Sequence, residues 1–436
     1  MNGRETALNV LIACRRDGAW SNGVLKEYTK TAGLDRREAA LAARLCYGVL
    51  QNRGKLDFYL GQLLTGRLKD LHPAVRDILH LGLYQLYFMD KIPQSAAVNE
   101  SVILAKQYCK KQKNASGLVN GVLRNAVRSK DDLKQPNAWD TKYSHPQKLI
   151  DILLESVGKP QMESMLRANN EAPDIVVQIN TKAASCMDVI ASLEKQGVTA
   201  IPHKWLKDCL VLSGTGDLEK LEAFQKGWFY IQDAAAKLSV LCAQIPQDAK
   251  VLDCCAAPGG KSFAAAICGA GEITACDIYP HKIGVIEAGA QRLGFDNITC
   301  LCQNAAQFCP EWENTMDVVI ADVPCSGYGI IRKKPDIRYK DPDTMKELPG
   351  LQLEILQNQA RYVKQGGVLL YSTCTLLKRE NEEVVAAFLA KNKDFITEKL
   401  SLPAIFPENN DGMLTLIPGQ YDTDGFFICR MRRKSV

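Results

Sequence analysis

The sequence has no Cys-x-x-Cys pair, and none of its five histidines lies within four residues of any of the sixteen cysteines. Structural zinc sites need thiolates and imidazoles at short, regular spacing, so no metal is expected. No apolar run reaches the roughly 18 residues of a membrane span, and the first residues lack the apolar core of a signal peptide. We therefore expect a cytoplasmic protein with no membrane partner, whose cysteines are free thiols.

Positive charge is concentrated in the N-terminal third of the chain. Residues 1–140 carry 22 Lys and Arg against 13 Asp and Glu, a net charge of +9, whereas the remainder carries −4. Apolar residues here recur at helical spacing, as in Leu41, Leu45 and Val49, which predicts an all-α domain of about six short helices over residues 1–140. A basic helical domain indicates a polyanionic partner, although a solvated helical surface gives the same asymmetry.

The rest of the chain reads as two α/β domains. Residues 145–230 mix strand-like runs with helical ones, which predicts a small α/β middle domain. Residues 231–436 alternate strands and helices regularly, which predicts a doubly wound, mostly parallel sheet. Its strands are expected at 250–253, 272–277, 298–301, 318–321, 368–371 and 425–429.

A glycine-containing turn after the first of these strands is the predicted nucleoside site. The turn consists of Cys254, Cys255, Ala256, Ala257, Pro258, Gly259, Gly260 and Lys261. Its glycines let a ligand approach the backbone at a helix N-terminus, and Asp277, at the end of the next strand, is placed to receive ribose hydroxyls. Neither the dinucleotide pattern nor the phosphate loop fits, so the expected ligand is a nucleoside without a phosphate chain. A lone Gly-Gly pair would favour an ordinary tight turn, but Asp277 and the order of the strands favour a binding site.

Two further cysteines follow two later strands. Cys325 stands in Asp322-Val323-Pro324-Cys325 after the strand at 318–321, and Cys374 closes Ser372-Thr373-Cys374 after the strand at 368–371. If these strands are neighbours, both thiols face the crevice where open α/β sheets bind ligands. Such a pair suits covalent catalysis, with buried core cysteines or a redox pair as the alternatives.

A basic stretch follows the first of these thiols. Residues 331–340 contain five basic residues against one acid. A phosphate clamp beside the pocket is the functional interpretation of this stretch, and a solvated loop is the alternative.

Together, the glycine turn, the Asp322 to Gly327 stretch and Ser372-Thr373-Cys374 resemble the RNA 5-methylcytosine methyltransferases of the NOL1/NOP2/Sun group, and in particular its bacterial 16S rRNA members. The resemblance implies a Rossmann-like methyltransferase domain over residues 231–436 and a NusB-like RNA-binding domain at the N-terminus. It implies S-adenosyl-L-methionine as the cofactor, lined by the glycine turn, with Asp277 on its ribose and Asp322 near its methyl group and the target base. Where the group usually has an acid near the adenine, this chain has Asn304, whose carbonyl can accept from the adenine amine.

The resemblance also implies the reaction and its partner. A methyl group would pass to carbon 5 of a cytosine in 16S ribosomal RNA, with cytosine 967 as the expected target. Cys374 would attack the base and Cys325 would assist elimination, although the positions of the two thiols alone do not say which does which. A monomer is expected. Two other functions fit parts of the sequence: an RNA-binding assembly factor on an inactive methyltransferase fold, and another nucleoside-cofactor enzyme such as a dehydrogenase.

Overall fold

Residues 1–171 are almost entirely helical in this computed structural model, which describes residues 1–408 and 411–435. The helices are α1 (Gly3–Arg16), α2 (Ser21–Thr31), α3 (Arg36–Leu63), α4 (Pro73–Phe88), α5 (Gln94–Tyr108), α6 (Ala115–Arg128), α7 (Trp139–Lys142), α8 (Gln147–Val157) and α9 (Lys159–Ala168). The first six confirm the predicted number of helices, but the expectation that all of them are short is wrong for α3, which has 28 residues. No helix within the described ranges is long and apolar enough to cross a membrane.

Residues at the helix starts explain several of these bounds. The side chain of Asn2 accepts a hydrogen bond from the Glu5 amide at the start of α1, and Asp35 accepts one from the Glu38 amide at the start of α3. Such caps satisfy backbone donors that have no partner inside the helix. Pro73 is the first residue of α4, where its missing N–H costs nothing.

A short segment from much later in the chain completes this helical part. The chain folds as two compact units, of which the first, here called the helical unit, contains Met1–Glu171 and Ile331–Pro342. The second, here called the sheet unit, contains Ala172–Ile330 and Asp343–Val436. The sequence pattern does not predict that residues 331–342 leave the sheet unit.

The sheet unit begins with a small antiparallel sheet. Its elements are β1 (Ile175–Ile179), α10 (Cys186–Lys195), β2 (Thr199–Pro202), β3 (Cys209–Ser213), α11 (Glu222–Gln225) and β4 (Phe229–Ile231). The strand order is β2-β3-β1-β4. The apolar runs predict β1 and β3 but miss β2 and β4, because these edge strands are short and β2 is mostly exposed, with little apolar pattern to detect.

The larger sheet carries the predicted catalytic motifs. Its elements are α12 (Ala234–Ala243), β5 (Lys250–Asp253), α13 (Gly260–Ile267), β6 (Glu272–Asp277), α14 (Pro280–Leu293), β7 (Ile298–Cys302), β8 (Met316–Asp322), α15 (Leu348–Ala360), β9 (Val363–Thr373), α16 (Glu382–Lys391), β10 (Phe395–Thr397), β11 (Met413–Leu416) and β12 (Phe426–Arg433). The order β10-β12-β9-β8-β5-β6-β7 has β5 to β9 parallel, with β10, β11 and β12 in antiparallel pairings at one end. The doubly wound, mostly parallel sheet is therefore confirmed, and its central strands are buried on both faces.

Candidate active site

Strand register brings the predicted motifs to one edge of the large sheet. β8 lies between β5 and β9, with Ile320 beside Asp253 and Asp322 beside Ser372. Cys325 follows the end of β8 by three residues, and Cys374 directly follows β9. Because parallel strands end at the same edge, three stretches that are distant in sequence meet at the carboxyl ends of neighbouring strands, where such sheets bind ligands.

The two thiols are in direct contact. The Sγ atoms of Cys325 and Cys374 are 3.2 Å apart, which is too long for a disulfide bond of about 2.05 Å, and both cysteines are free. The backbone around them is fixed from both strands, since the Ser326 amide donates to Oε2 of Glu380 at 2.9 Å and the Gly329 amide donates to the Cys374 carbonyl at 2.9 Å. The structure thus brings together the two residues that the motifs predict.

The surroundings of the two thiols are not equivalent. The pKa of Cys325 lies well above its usual value because its thiol hydrogen-bonds to the sulfur of Cys374, because it is buried, and because Glu380 and Asp322 are nearby acids. Two thiols in contact titrate as a pair, so ionisation of one opposes ionisation of the other. A Cys325 thiol whose pKa lies well above its usual value stays protonated at neutral pH.

A buried lysine supplies positive charge next to this pair. Nζ of Lys261 lies 2.5 Å from Oδ2 of Asp322, and Ser372 donates to Oδ1 of the same carboxylate at 2.8 Å. Burial alone would lower the pKa of Lys261, but the Asp322 carboxylate outweighs it and the pKa is raised, with the Cys374 sulfur contributing in the same direction. An ammonium group stabilises a nearby thiolate, so Lys261 supplies the positive charge that thiol chemistry at this edge of the sheet requires. The sequence predicts Lys261 only as part of the cofactor turn, because the Asp322 pairing depends on the order of the strands.

The glycine turn is closely packed. Gly259 has φ of +109° at the start of α13, and a Cβ built there would lie 2.3 Å from Cζ of Phe263. A Cβ on Gly260 would lie 2.9 Å from Nε2 of Gln232. Glycine is therefore required at Gly259 by backbone conformation as well as by space.

Asp253, which ends β5 just before the turn, is a site residue that the motif analysis does not single out. It is fully buried, and Ser262 in α13 donates to its Oδ2 at 2.7 Å. Within the described residues its Oδ1 has no hydrogen-bond partner. Burial, as the largest cause, raises the pKa of Asp253 from 3.8 to about 6. Its position at a strand end is the signal that could have identified it.

The residues at this edge fit an adenosyl cofactor. The contacts that Asp277 makes within the described ranges, from the Tyr279 amide at 3.1 Å and from Lys282 at 3.5 Å, both use Oδ1, so Oδ2 can accept ribose hydroxyls. Asn304 accepts from the Ala306 amide through Oδ1, which leaves one carbonyl lone pair and the amide N–H groups for an adenine. Together with the unpartnered oxygen of Asp253, this donor and acceptor set suits a nucleoside. No group of three or more His, Cys, Asp or Glu side chains within the described ranges could hold a metal ion.

The predicted phosphate clamp at residues 331–340 is not supported as a whole. Arg338 is only 1% exposed and its guanidinium donates to backbone carbonyls of the helical unit, so it is unavailable to phosphate. Lys340 donates to the Gly18 carbonyl, whereas Lys334 is exposed. The prediction is wrong for Arg338 because sequence counts a charge without knowing whether the side chain is buried.

The helical unit presents a different cationic surface. Residues 101–130 contain no acid, and their seven cations are exposed and form no ion pair within the described residues. They are Lys106, Lys110, Lys111, Lys113, Arg124, Arg128 and Lys130. A cleft of about 440 Å³ between α5 and α6 is lined by Arg124 and Arg128 together with the polar Gln94, Ser95 and Asn99. This surface, here called the α5–α6 surface, has the charge that a polyanion requires.

Comparisons with known proteins match nearly the whole length of the chain. A model described as 16S rRNA methyltransferase RsmB/F matches residues 240–432, a NusB family model matches 1–128, and a model of the RsmF/B-like ferredoxin-like domain matches 145–219. A probable ribosomal RNA small subunit methyltransferase B from Bacillus subtilis is 36% identical over 99% of this chain and 98% of its own length. A ribosomal RNA small subunit methyltransferase B from Escherichia coli O1:K1 / APEC is 32% identical over 91% of each chain.

Solved structures show the same fold. The crystal structure of PH0851 has a TM-score of 0.81 at 24% identity and covers 99% of this chain and 98% of that one. The crystal structure of NSun6 from Pyrococcus horikoshii with SFG has a TM-score of 0.60 at 20% identity and covers 67% of this chain and 99% of that one. The predicted fold class, with a helical NusB-like part, a small α/β middle part and a Rossmann-like methyltransferase part, is confirmed.

Proposed function

The chain belongs to the family of ribosomal RNA small subunit methyltransferase B, whose members depend on S-adenosylmethionine, and from that premise we propose that it methylates carbon 5 of a cytosine in 16S ribosomal RNA. The target that we propose is cytosine 967. The observation that carries the choice of carbon 5 is the contact between Cys325 and Cys374 at the carboxyl edge of the sheet.

Covalent catalysis explains why a thiol is needed. Carbon 5 of cytosine is a poor nucleophile, and addition of the Cys374 thiolate to carbon 6 forms an S–C bond and places the electron pair of the former double bond on carbon 5. S-adenosylmethionine supplies an electrophilic methyl group on a sulfonium. After transfer, the proton on carbon 5 would pass to solvent, the double bond would re-form and the S–C bond would break, which returns the electron pair to Cys374.

The neighbours of Cys374 suit these steps. Lys261, held by Asp322, provides positive charge that stabilises the thiolate before attack and after release. Cys325 remains protonated and in contact, so its S–H can hydrogen-bond to the departing sulfur as the S–C bond breaks. This arrangement supports the assignment of Cys374 as nucleophile and Cys325 as the residue that assists elimination.

The cofactor would be held by the residues of the glycine turn, Cys254 to Lys261, with Asp277 on the ribose and Asn304 near the adenine. Asp322 accepts from both Lys261 and Ser372, and its carboxylate is partly exposed, so it can face a cationic methyl donor. The order of these contacts along the edge of the sheet follows the strand order from β7 to β8. Asn304 would contact the adenine through the second lone pair of its carbonyl oxygen, since the first accepts from the Ala306 amide.

The RNA would be bound by the α5–α6 surface, through phosphate contacts that carry no sequence information. We also propose the division into domains at 1–140, 145–230 and 231–436, and a monomer as the working form. A ribosomal substrate would place the reaction in the cytoplasm.

The function is tested by incubating the protein with a 16S rRNA transcript and methyl-labelled S-adenosylmethionine. We expect 5-methylcytidine after digestion to nucleosides, a single modified position by bisulfite sequencing, and no product from Cys374→Ala. Cys186→Ala, which changes a partly buried cysteine in the middle domain, is the matched control and should retain activity. Label in a nucleoside other than cytidine would contradict the proposal, and RNA binding without any methyl transfer would favour the assembly-factor alternative.

A further inference from the structure

The loop that carries Cys325 continues into the segment Ile331–Pro342, which is built into the helical unit. At its beginning, the loop is fixed beside the thiol pair. Ser326 hydrogen-bonds to Thr375 at 2.7 Å, the Gly329 amide donates to the Cys374 carbonyl, and the Gly329 carbonyl accepts from the Gly425 amide. Only one peptide bond separates Ile330, the last residue of the sheet unit on this side, from Ile331. The Cys325 loop is therefore directly continuous in sequence with residues 331–342.

Arg338 holds this segment among the helices. Its guanidinium donates to the carbonyls of Gln51, Tyr143, Ser144 and Asn169 and to the side-chain oxygen of Asn170, at distances of 2.9 to 3.3 Å. These acceptors come from α3, from the turn before α8 and from the end of α9. One side chain therefore joins three separate parts of the helical unit to the segment that follows Cys325.

The chemistry of this site is unusual for an arginine. Its side chain is buried, and within the described ranges no carboxylate forms an ion pair with it. Burial lowers the pKa of Arg338 to about 10, which still leaves it protonated at neutral pH. Nη1 is the donor in four of these contacts and has only two N–H groups, so the contacts share its hydrogens, and Nε has no hydrogen-bond partner within the described residues. A buried charge that is compensated only by neutral oxygens depends on these contacts, so the geometry is strongly specified.

Neighbouring residues of the segment repeat the pattern. Asp336 is 5% exposed and accepts from the hydroxyl of Ser21, the first residue of α2, at 2.8 Å. The hydroxyl of Tyr339 donates to the Leu50 carbonyl at 2.8 Å and lies 3.3 Å from that of Ser144. In a solvated surface loop these acid, arginine and tyrosine side chains would hydrogen-bond to water, whereas here they bond to groups of the helical unit.

We propose that Arg338 is a positioning residue for the reaction: by fixing residues 331–342 in the helical unit, it keeps the Cys325 loop in the conformation that holds this thiol against Cys374. The inference rests on the proposed two-cysteine reaction, in which Cys325 assists elimination.

Arg338→Met tests the inference, since it keeps a long side chain and removes every donor. We expect kcat to fall about 10- to 100-fold, the size of effect that a misplacement of about 1 Å produces, while the Kd values for RNA and for S-adenosylmethionine stay within twofold. A larger fraction of the variant should be trapped as a denaturant-stable protein–RNA adduct, and Arg338→Lys should restore part of kcat. Arg67→Met, an exposed arginine of the same unit paired with Asp70, is the matched control and should behave as wild type.

Two results would overturn the inference: an unchanged kcat in Arg338→Met, or a loss of kcat that comes with an equal loss of RNA affinity and no added adduct. If Arg338→Met does not fold, Tyr339→Phe decides the question, because it removes only one hydroxyl; a few-fold lower kcat with more adduct supports the inference and wild-type behaviour refutes it. Failure of the proposed function is distinguishable from these outcomes, since the wild-type protein would then form no 5-methylcytidine.

Discussion

Replacing Asp253 by Asn should stabilise the methyltransferase part of the chain at neutral pH, although it alters the residue that ends β5 directly before the glycine turn. Asp253 is fully buried with one unpartnered oxygen, and its folded-state pKa is about 6 against 3.8 for the free side chain. A difference of about two pKa units corresponds to roughly 3 kcal/mol. Asn keeps the acceptor for Ser262 and carries no charge to desolvate.

The sign follows from proton linkage. Between pH 3.8 and about 6 the folded protein binds a proton at Asp253 that the unfolded chain has already lost, so stability falls as pH rises through this window and is level above it. When the pH is raised from about 4.5 to above about 7, the free energy of unfolding of the wild type should fall by roughly 2 kcal/mol, whereas that of Asp253→Asn should not show this fall. For a domain of about 200 residues this is a difference of about 4–8 °C in Tm.

The assay is thermal unfolding of both proteins across this pH range. The relevant transition is identified as the one that S-adenosylhomocysteine raises, since a ligand stabilises only the part that binds it. Taking the difference between the two proteins removes titrations that they share. A Tm difference that is independent of pH, or a variant less stable than wild type at neutral pH, would refute the electrostatic reasoning.

Two further predictions concern the binding surfaces. Gly259→Ala should weaken S-adenosylmethionine binding by about 5- to 150-fold in calorimetry, because φ of +109° costs an L-residue about 1–3 kcal/mol and the new Cβ would clash with Phe263. Gly284→Ala, at an open position in α14, is the control. Equal affinities of Gly259→Ala and wild type would contradict the argument. Arg124→Gln with Arg128→Gln should weaken RNA binding and reduce the slope of log K against log salt by up to about 2, whereas an unchanged slope would move the RNA contact away from the α5–α6 surface.

Much of the site follows from the sequence because its signals are local. An apolar run followed by a polar motif marks a strand end, and this places Asp277, Asp322, Cys325 and Cys374 on one edge of a parallel sheet before any pairing is known. The contact between the two thiols then needs only that β8 and β9 are neighbours, which is the case.

What sequence reasoning does not reach depends on long-range pairing and burial. Lys261 and Asp322 are 61 residues apart, and only the order β9-β8-β5 brings them together. Glu380, which accepts from the backbone beside Cys325, has no pattern that marks it. Arg338 shows the same limit, because five basic residues in ten indicate a surface, whereas the fold buries this one.

The central claim is that Cys374 attacks the base and Cys325 releases it. The most direct measurement is a denaturing gel of the protein incubated with 16S rRNA and S-adenosylmethionine, in which a covalent adduct runs as a slower band. We predict a strong band for Cys325→Ala, because attack and methylation proceed while release is impaired, and none for Cys374→Ala or the double variant. An adduct formed by Cys374→Ala but not by Cys325→Ala would contradict the account.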